Sequence, residues 1–72
     1  MEGKIDGVGT QKHYDLAIEP IDYIVKNNLG YLEGNVVKYI SRYKLKNGVE
    51  DLKKAQQYLT WLIQEYLETV ND

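Results

Sequence analysis

Residues 47–70 read NGVEDLKKAQQYLTWLIQEYLETV, and this stretch decides the fold. Leu52, Ala55, Leu59, Leu62, Ile63, Tyr66, Leu67 and Val70 recur with the 3.6-residue period of an amphipathic helix. Asn47 is a suitable N-cap, with Glu50 three residues on as in a capping box. Asp51 adds favourable negative charge to the same helix N-terminus. Tyr58 and Trp61 stand off the leucine stripe. Two large aromatics there predict a homo-oligomer interface, because burying them would enlarge a core too small to suffice alone.

Working backwards, Lys44–Gly48 reads as a tight basic loop. Before it, Val36, Ile40 and Tyr43, with Val37 beside them, predict a second helix from Tyr31 or Leu32 to about Tyr43. Gly34 falls in its first turn at a cost of up to about 1 kcal/mol relative to alanine. That cost marks a late helix start or a place where another group comes close. Pro20 fits the first position of a short helix carrying Ile21, Ile24 and Val25, which Asn27, Asn28 and Gly30 bring to an end. His13–Glu19 reads as an extended lead-in, and residues 1–12, glycine-rich and polar, as a flexible arm. The expected architecture is all-α: one three-helix domain over residues 13–72 behind an arm at 1–12.

Composition narrows the function. The 72 residues suffice for one domain. No cysteine is present, so disulfides and thiolate metal sites are excluded, and one histidine cannot build a multi-histidine site. No apolar run approaches the ~20 residues that span a bilayer, and residues 1–12 lack the apolar stretch of a secretory signal. A cytoplasmic protein without membrane attachment is expected. The formal net charge of −2 hides an asymmetry: Asn35–Lys54 holds six basic and two acidic side chains. Such a cluster focuses anions locally, whereas the overall acidity speaks against a general nucleic-acid coat.

Asn35, Lys38 and Arg42, spaced by three and four, share one helical face. A guanidinium grips phosphate through paired hydrogen bonds and an ammonium acts as a point charge. Lys44 and Lys46 extend the charge; Tyr39 and Tyr43 offer rings to a base or hydroxyls to a phosphate. The ordinary alternative is a solvated helix face. His13-Tyr14 is either a phosphate donor, a stacking platform or a general acid, or else a partly buried histidine that anchors the chain. Glu65, Glu68 and Asp72 form an acidic face without a facing carboxylate cluster, so no metal is assigned. Gly7-Val8-Gly9-Thr10 lacks the lysine and hydroxyl residue of a phosphate loop, and Ser41 and Thr60 lack a base and an orienting partner. No catalytic residue and no cofactor are assigned.

The blocks His13-Tyr14, Ile18–Ile24, Glu33–Lys44, Lys46-Asn47-Gly48 and Glu50–Ala55 together resemble the SaV-like family of short phage and prophage proteins over about His13–Leu67. A similar domain forms part of a phage nucleotide kinase acting on deoxynucleoside monophosphates. The resemblance implies nucleotide handling, and by matching position points to His13, Tyr14, Glu33, Asn35, Lys38, Tyr39, Arg42, Lys46 and Asp51. The additional kinase sequence is absent. The expected function is therefore an oligomeric sponge that holds a nucleotide or cyclic nucleotide immune signal without chemistry. The alternative is a nucleoside monophosphate kinase or a module of one.

Overall fold

The structure, a computed structural model, describes residues 16–70. Three helices follow one another: α1 (Pro20–Lys26), α2 (Tyr31–Arg42) and α3 (Val49–Val70), with a 3-10 turn (Tyr43–Leu45) after α2. No strand occurs among the described residues, so the domain is a small all-α three-helix fold. The predicted arm at 1–12 lies outside the described residues, as do His13 and Tyr14.

Each helix boundary has a local cause. Glu19 is extended and Pro20 opens α1, where its missing N–H costs nothing. α1 ends at a left-handed residue, Asn28 at φ 56°. The Leu29 N–H donates to Ile24 O at 3.0 Å and the Asn28 N–H to Val25 O at 3.1 Å, which is the Schellman pattern. Gly30, expected to help end α1, instead opens α2. Its N–H donates to Glu33 Oε2 at 2.8 Å, half of a capping box, since glycine has no side chain to return the bond.

Gly34 is buried where α1 crosses α2. A Cβ built on it would lie 3.1 Å from Ile24 Cγ2. The glycine inside α2 is therefore explained by the close passage of an α1 side chain.

α3 lies chiefly against α2. The facing positions are Asp51, Ala55, Tyr58 and Leu62, one face by spacing, and all are buried or half-buried. Ala55, 3% exposed, is the one fully buried apolar side chain among the described residues. The apolar stripe expected on α3 therefore divides. Ala55 and Leu62 turn toward α2, while Leu52, Leu59, Ile63, Tyr66, Leu67 and Val70 remain exposed. Helix length explains part of this: 22 residues span roughly 33 Å and 12 span roughly 18 Å, so the C-terminal half of α3 overhangs α2.

The start of α3 also differs from expectation. The helix begins at Val49, after Gly48 at φ 56°. The acidic side chain that reaches back to the preceding loop is Asp51, not Glu50, and it accepts from the Asn47 N–H at 3.2 Å. Because Gly48 takes the left-handed turn, the pattern moves one residue along the chain. The basic loop is likewise partly helical, its first residues forming the 3-10 turn, with the Gly48 N–H closing on Tyr43 O at 2.8 Å.

Candidate functional site

The α2–α3 junction is organised by one carboxylate. Asp51 has 0% exposed side-chain surface. Its Oδ2 accepts from Arg42 Nε at 3.3 Å and from the Asn47 N–H at 3.2 Å. Its Oδ1 accepts from Arg42 Nη2 and from Asn47 Nδ2, each at 3.4 Å. A carboxylate offers about four lone-pair sites, so four moderate bonds complete its demand. Burial pushes the Asp51 carboxyl up, but the hydrogen bonds from Arg42 and Asn47 and the guanidinium charge outweigh it and hold the group below its ordinary value. Asp51 is a latch between α2, the loop and α3, with no lone pair left for proton transfer.

The latch alters the role of Arg42. Its side chain is 16% exposed and two of its five N–H donors face Asp51. The guanidinium lies 4.7 Å from the Tyr39 ring centroid. Lys38 Nζ, at 5.0 Å, and Lys54 Nζ, at 5.4 Å, approach the same ring. Three cations thus converge on Tyr39, within cation–π range. Neither lysine has a carboxylate partner among the described residues. Lys54 is a member that sequence reasoning missed; it lies one turn beyond Asp51 in α3, and only the helix crossing brings it to α2.

Tyr39 also belongs to an aromatic cluster. Its ring lies nearly parallel to that of Tyr58, with centroids 5.9 Å apart and planes 11° apart. Tyr58 meets Tyr31 and Trp61 edge-on, at 5.9 and 5.5 Å. Hydrogen bonding with Tyr31, then burial and the neighbouring phenols, pushes the Tyr58 hydroxyl above its ordinary value. Tyr58, expected at a subunit interface, is engaged within its own chain; Trp61 remains 47% exposed. With Tyr58 and the cations around it, Tyr39 is not an open platform for a base. Tyr31, at 73%, is the most exposed ring of the cluster.

Tyr31 borders a groove of about 230 Å³ between α1 and α2, together with Asn35, Lys38, Gly34, Ile24 and Leu29. The side-chain nitrogen of Asn35 donates to Tyr31 O at 2.9 Å, so the amide oxygen takes no part in that bond. A larger hollow, about 440 Å³, is lined by Leu16, Tyr23, Glu19, Asp22 and Lys26. Its charge is wrong for an anion, so the smaller groove is the better candidate.

The predicted set therefore separates. Asn35 and Lys38 share the groove. Lys38, Tyr39 and Arg42 share the cationic cluster beside it. Glu33 caps α2 through Gly30. Lys44 lies 5.9 Å from the Tyr43 ring centroid, and Lys46 is exposed in the turn. His13 and Tyr14 lie outside the described residues. Among the described residues no group of three His, Cys, Asp or Glu side chains could hold a metal ion, and no helix is long and apolar enough to cross a membrane.

Neither a curated protein nor a solved structure matches this chain. A family model does match, over residues 8–60, which is most of the chain and spans α1, α2 and the α3 turns that carry Asp51, Lys54 and Tyr58. On that match the chain belongs to the DUF3310 family, whose description is a protein of unknown function.

Proposed function

We propose that this is a phage-type nucleotide-binding protein that sequesters a nucleotide immune signal without altering it. The observation that carries the reading is the groove in which Tyr31, Asn35 and Lys38 border an apolar floor of Ile24 and Leu29. The floor and the Tyr31 ring suit a base, the Asn35 amide oxygen suits its edge or ribose, and the Lys38 ammonium suits a phosphate. Arg42 and Lys54 raise the local positive potential, and Lys44 and Lys46 extend it.

Size supports holding over chemistry. A groove of about 230 Å³ falls below the roughly 300 Å³ at which ligand pockets begin. It holds part of one nucleotide, with the remainder covered by a second subunit of a homo-oligomer. Phosphoryl transfer needs two nucleotides in line, and there is no room for them in one chain. The resemblance to short phage proteins supports the same reading and a working place in the host cytoplasm.

The test is thermal denaturation with cyclic and linear adenine nucleotides, followed by chromatography of the ligand released on heating. A raised Tm with ligand recovered intact supports sequestration. Conversion of a deoxynucleoside monophosphate to its diphosphate with ATP would favour the kinase reading. No shift with any nucleotide would remove both.

A further inference from the structure

Like charges repel, yet three gather at the Tyr39 ring. Arg42 stands 4.7 Å from its centroid, Lys38 5.0 Å and Lys54 5.4 Å. Lys38 and Arg42 are four residues apart on α2, a spacing at which like charges destabilise a helix, and α3 adds Lys54 to them. The ring attracts each cation through its quadrupole but has no net charge with which to balance them. Asp51 cancels one charge, through Arg42. Neither lysine ammonium makes a hydrogen bond or an ion pair to a protein acceptor among the described residues. Glu50, one turn before Lys54, makes no ion pair with it. Two positive charges are left unmatched, one on each of two helices whose crossing the Asp51 latch fixes. Both lysines are exposed, so an ion from solvent can reach them.

We propose that Lys38 and Lys54 together hold one dianionic phosphate across the α2–α3 crossing, as the free ion or as the terminal group of a phosphomonoester. Charge selects the class. A phosphomonoester carries about −1.5 to −2 at pH 7, which matches the two unbalanced cations, whereas a diester linkage carries a single charge. The donors suffice: each ammonium offers three N–H groups, and three of the five on Arg42 are not engaged by Asp51. Reach suffices as well. Each ammonium rides a flexible four-carbon stem, and both tips already lie within 5.4 Å of one centroid, so a shared anion needs only rotamer changes. The site has Lys38 in common with the groove beside it, but it requires no base in that groove. Where a nucleotide does occupy the groove, a step that rests on the proposed function, Lys54 favours a terminal phosphate over a diester.

The test uses inorganic phosphate and the full chain. Amide NMR shifts centred on Lys38, Tyr39 and Lys54 should saturate as phosphate is titrated at constant ionic strength. Reading shifts in place of Tm keeps out the general stabilisation that phosphate gives to folded proteins. Lys54→Gln and Lys38→Gln should each weaken binding about tenfold. Lys53→Gln makes the same change in net charge about 100° round α3 and should leave binding unaltered. All three positions are exposed, and circular dichroism should report an intact fold in each variant. Glycerol phosphate binding more tightly than inorganic phosphate assigns the site to a terminal group, and the reverse order assigns it to the free ion. Dimethyl phosphate, a monoanion with the same tetrahedral centre, should bind about tenfold more weakly than either. Shifts that do not saturate, equal losses in Lys53→Gln and Lys54→Gln, or equal binding of dimethyl phosphate would overturn the proposal. Nucleotide binding without any phosphate titration would sink this site and leave the groove reading standing; phosphate titration in a chain that no nucleotide stabilises would do the reverse.

Discussion

The guanidinium of Arg42, at the end of α2, lies side-on to the buried carboxylate of Asp51 in α3, with Nε 3.3 Å from Oδ2 and Nη2 3.4 Å from Oδ1. Breaking a buried pair from one side leaves the remaining charge without compensation. Arg42→Ala should therefore lower Tm by more than about 5 °C, measured by circular dichroism at fixed concentration. Arg42→Lys should recover little of this, because an ammonium cannot present two donors in one plane. Arg42 is thus unsuited to testing ligand contact, since its loss disturbs the frame that carries the groove. A Tm unchanged in Arg42→Ala would show that the pair contributes nothing.

The same carboxylate sets an acid limit. Its folded pKa lies below its ordinary value of 3.8, so between the two the unfolded chain binds more protons and stability rises with pH. The contribution is fully present above about pH 5 and is lost as pH falls through the depressed value. Chemical denaturation midpoints of the wild type should decline from about pH 4 downward. Asp51→Asn should lower the midpoint at neutral pH and flatten that decline. An equally steep acid decline in Asp51→Asn would assign it to other carboxylates.

The sequence made the helices legible because their signals are local. Pro20, Asn28, Gly34 and the period of α3 each announce a boundary or a face without knowledge of the rest of the chain. The site was legible only as a face. Asn35, Lys38 and Arg42 share one side of α2, as their spacing requires, yet Asp51 draws Arg42 into the junction while Lys38 borders the groove. That partition depends on how α2 and α3 cross, which side-chain spacing on one helix does not encode. The same limit hid Lys54, which reaches Tyr39 across the crossing, and merged two faces of α3 into one stripe. A 3.6-residue period reports that a helix has an apolar side, and a broad one can serve two partners.

Gly34 offers a separate test of packing. Alanine in a helix is favoured over glycine by about 1 kcal/mol, but its Cβ would lie 3.1 Å from Ile24 Cγ2. In the wild-type background the two effects oppose each other, and Gly34→Ala should change stability by less than about 1 kcal/mol. With Ile24→Ala the obstruction is gone, and Gly34→Ala should stabilise that background by about 1 kcal/mol. A double-mutant cycle by urea denaturation measures the coupling. Additive effects would mean that Ile24 does not constrain position 34.

The groove is tested best at Lys38, which has no carboxylate partner among the described residues and whose side chain is exposed. Lys38→Ala removes one cation and slightly favours the helix, so Tm without ligand should hold or rise. If a phosphate rests on this ammonium, nucleotide affinity should fall about tenfold, the equivalent of roughly 1.4 kcal/mol. Asn35→Ala should weaken binding with a different selectivity, discriminating among bases, because the amide oxygen faces an edge and not a charge. Lys44→Ala, outside the groove, should weaken binding less and only through long-range potential, an effect that about 0.15 M salt should largely erase. Isothermal titration with nucleotides of different bases across the three variants, at low and at physiological salt, separates these outcomes. Equal losses at Lys38 and Lys44 would mean that the anion is held by diffuse charge, and the groove would then have no part in recognising it.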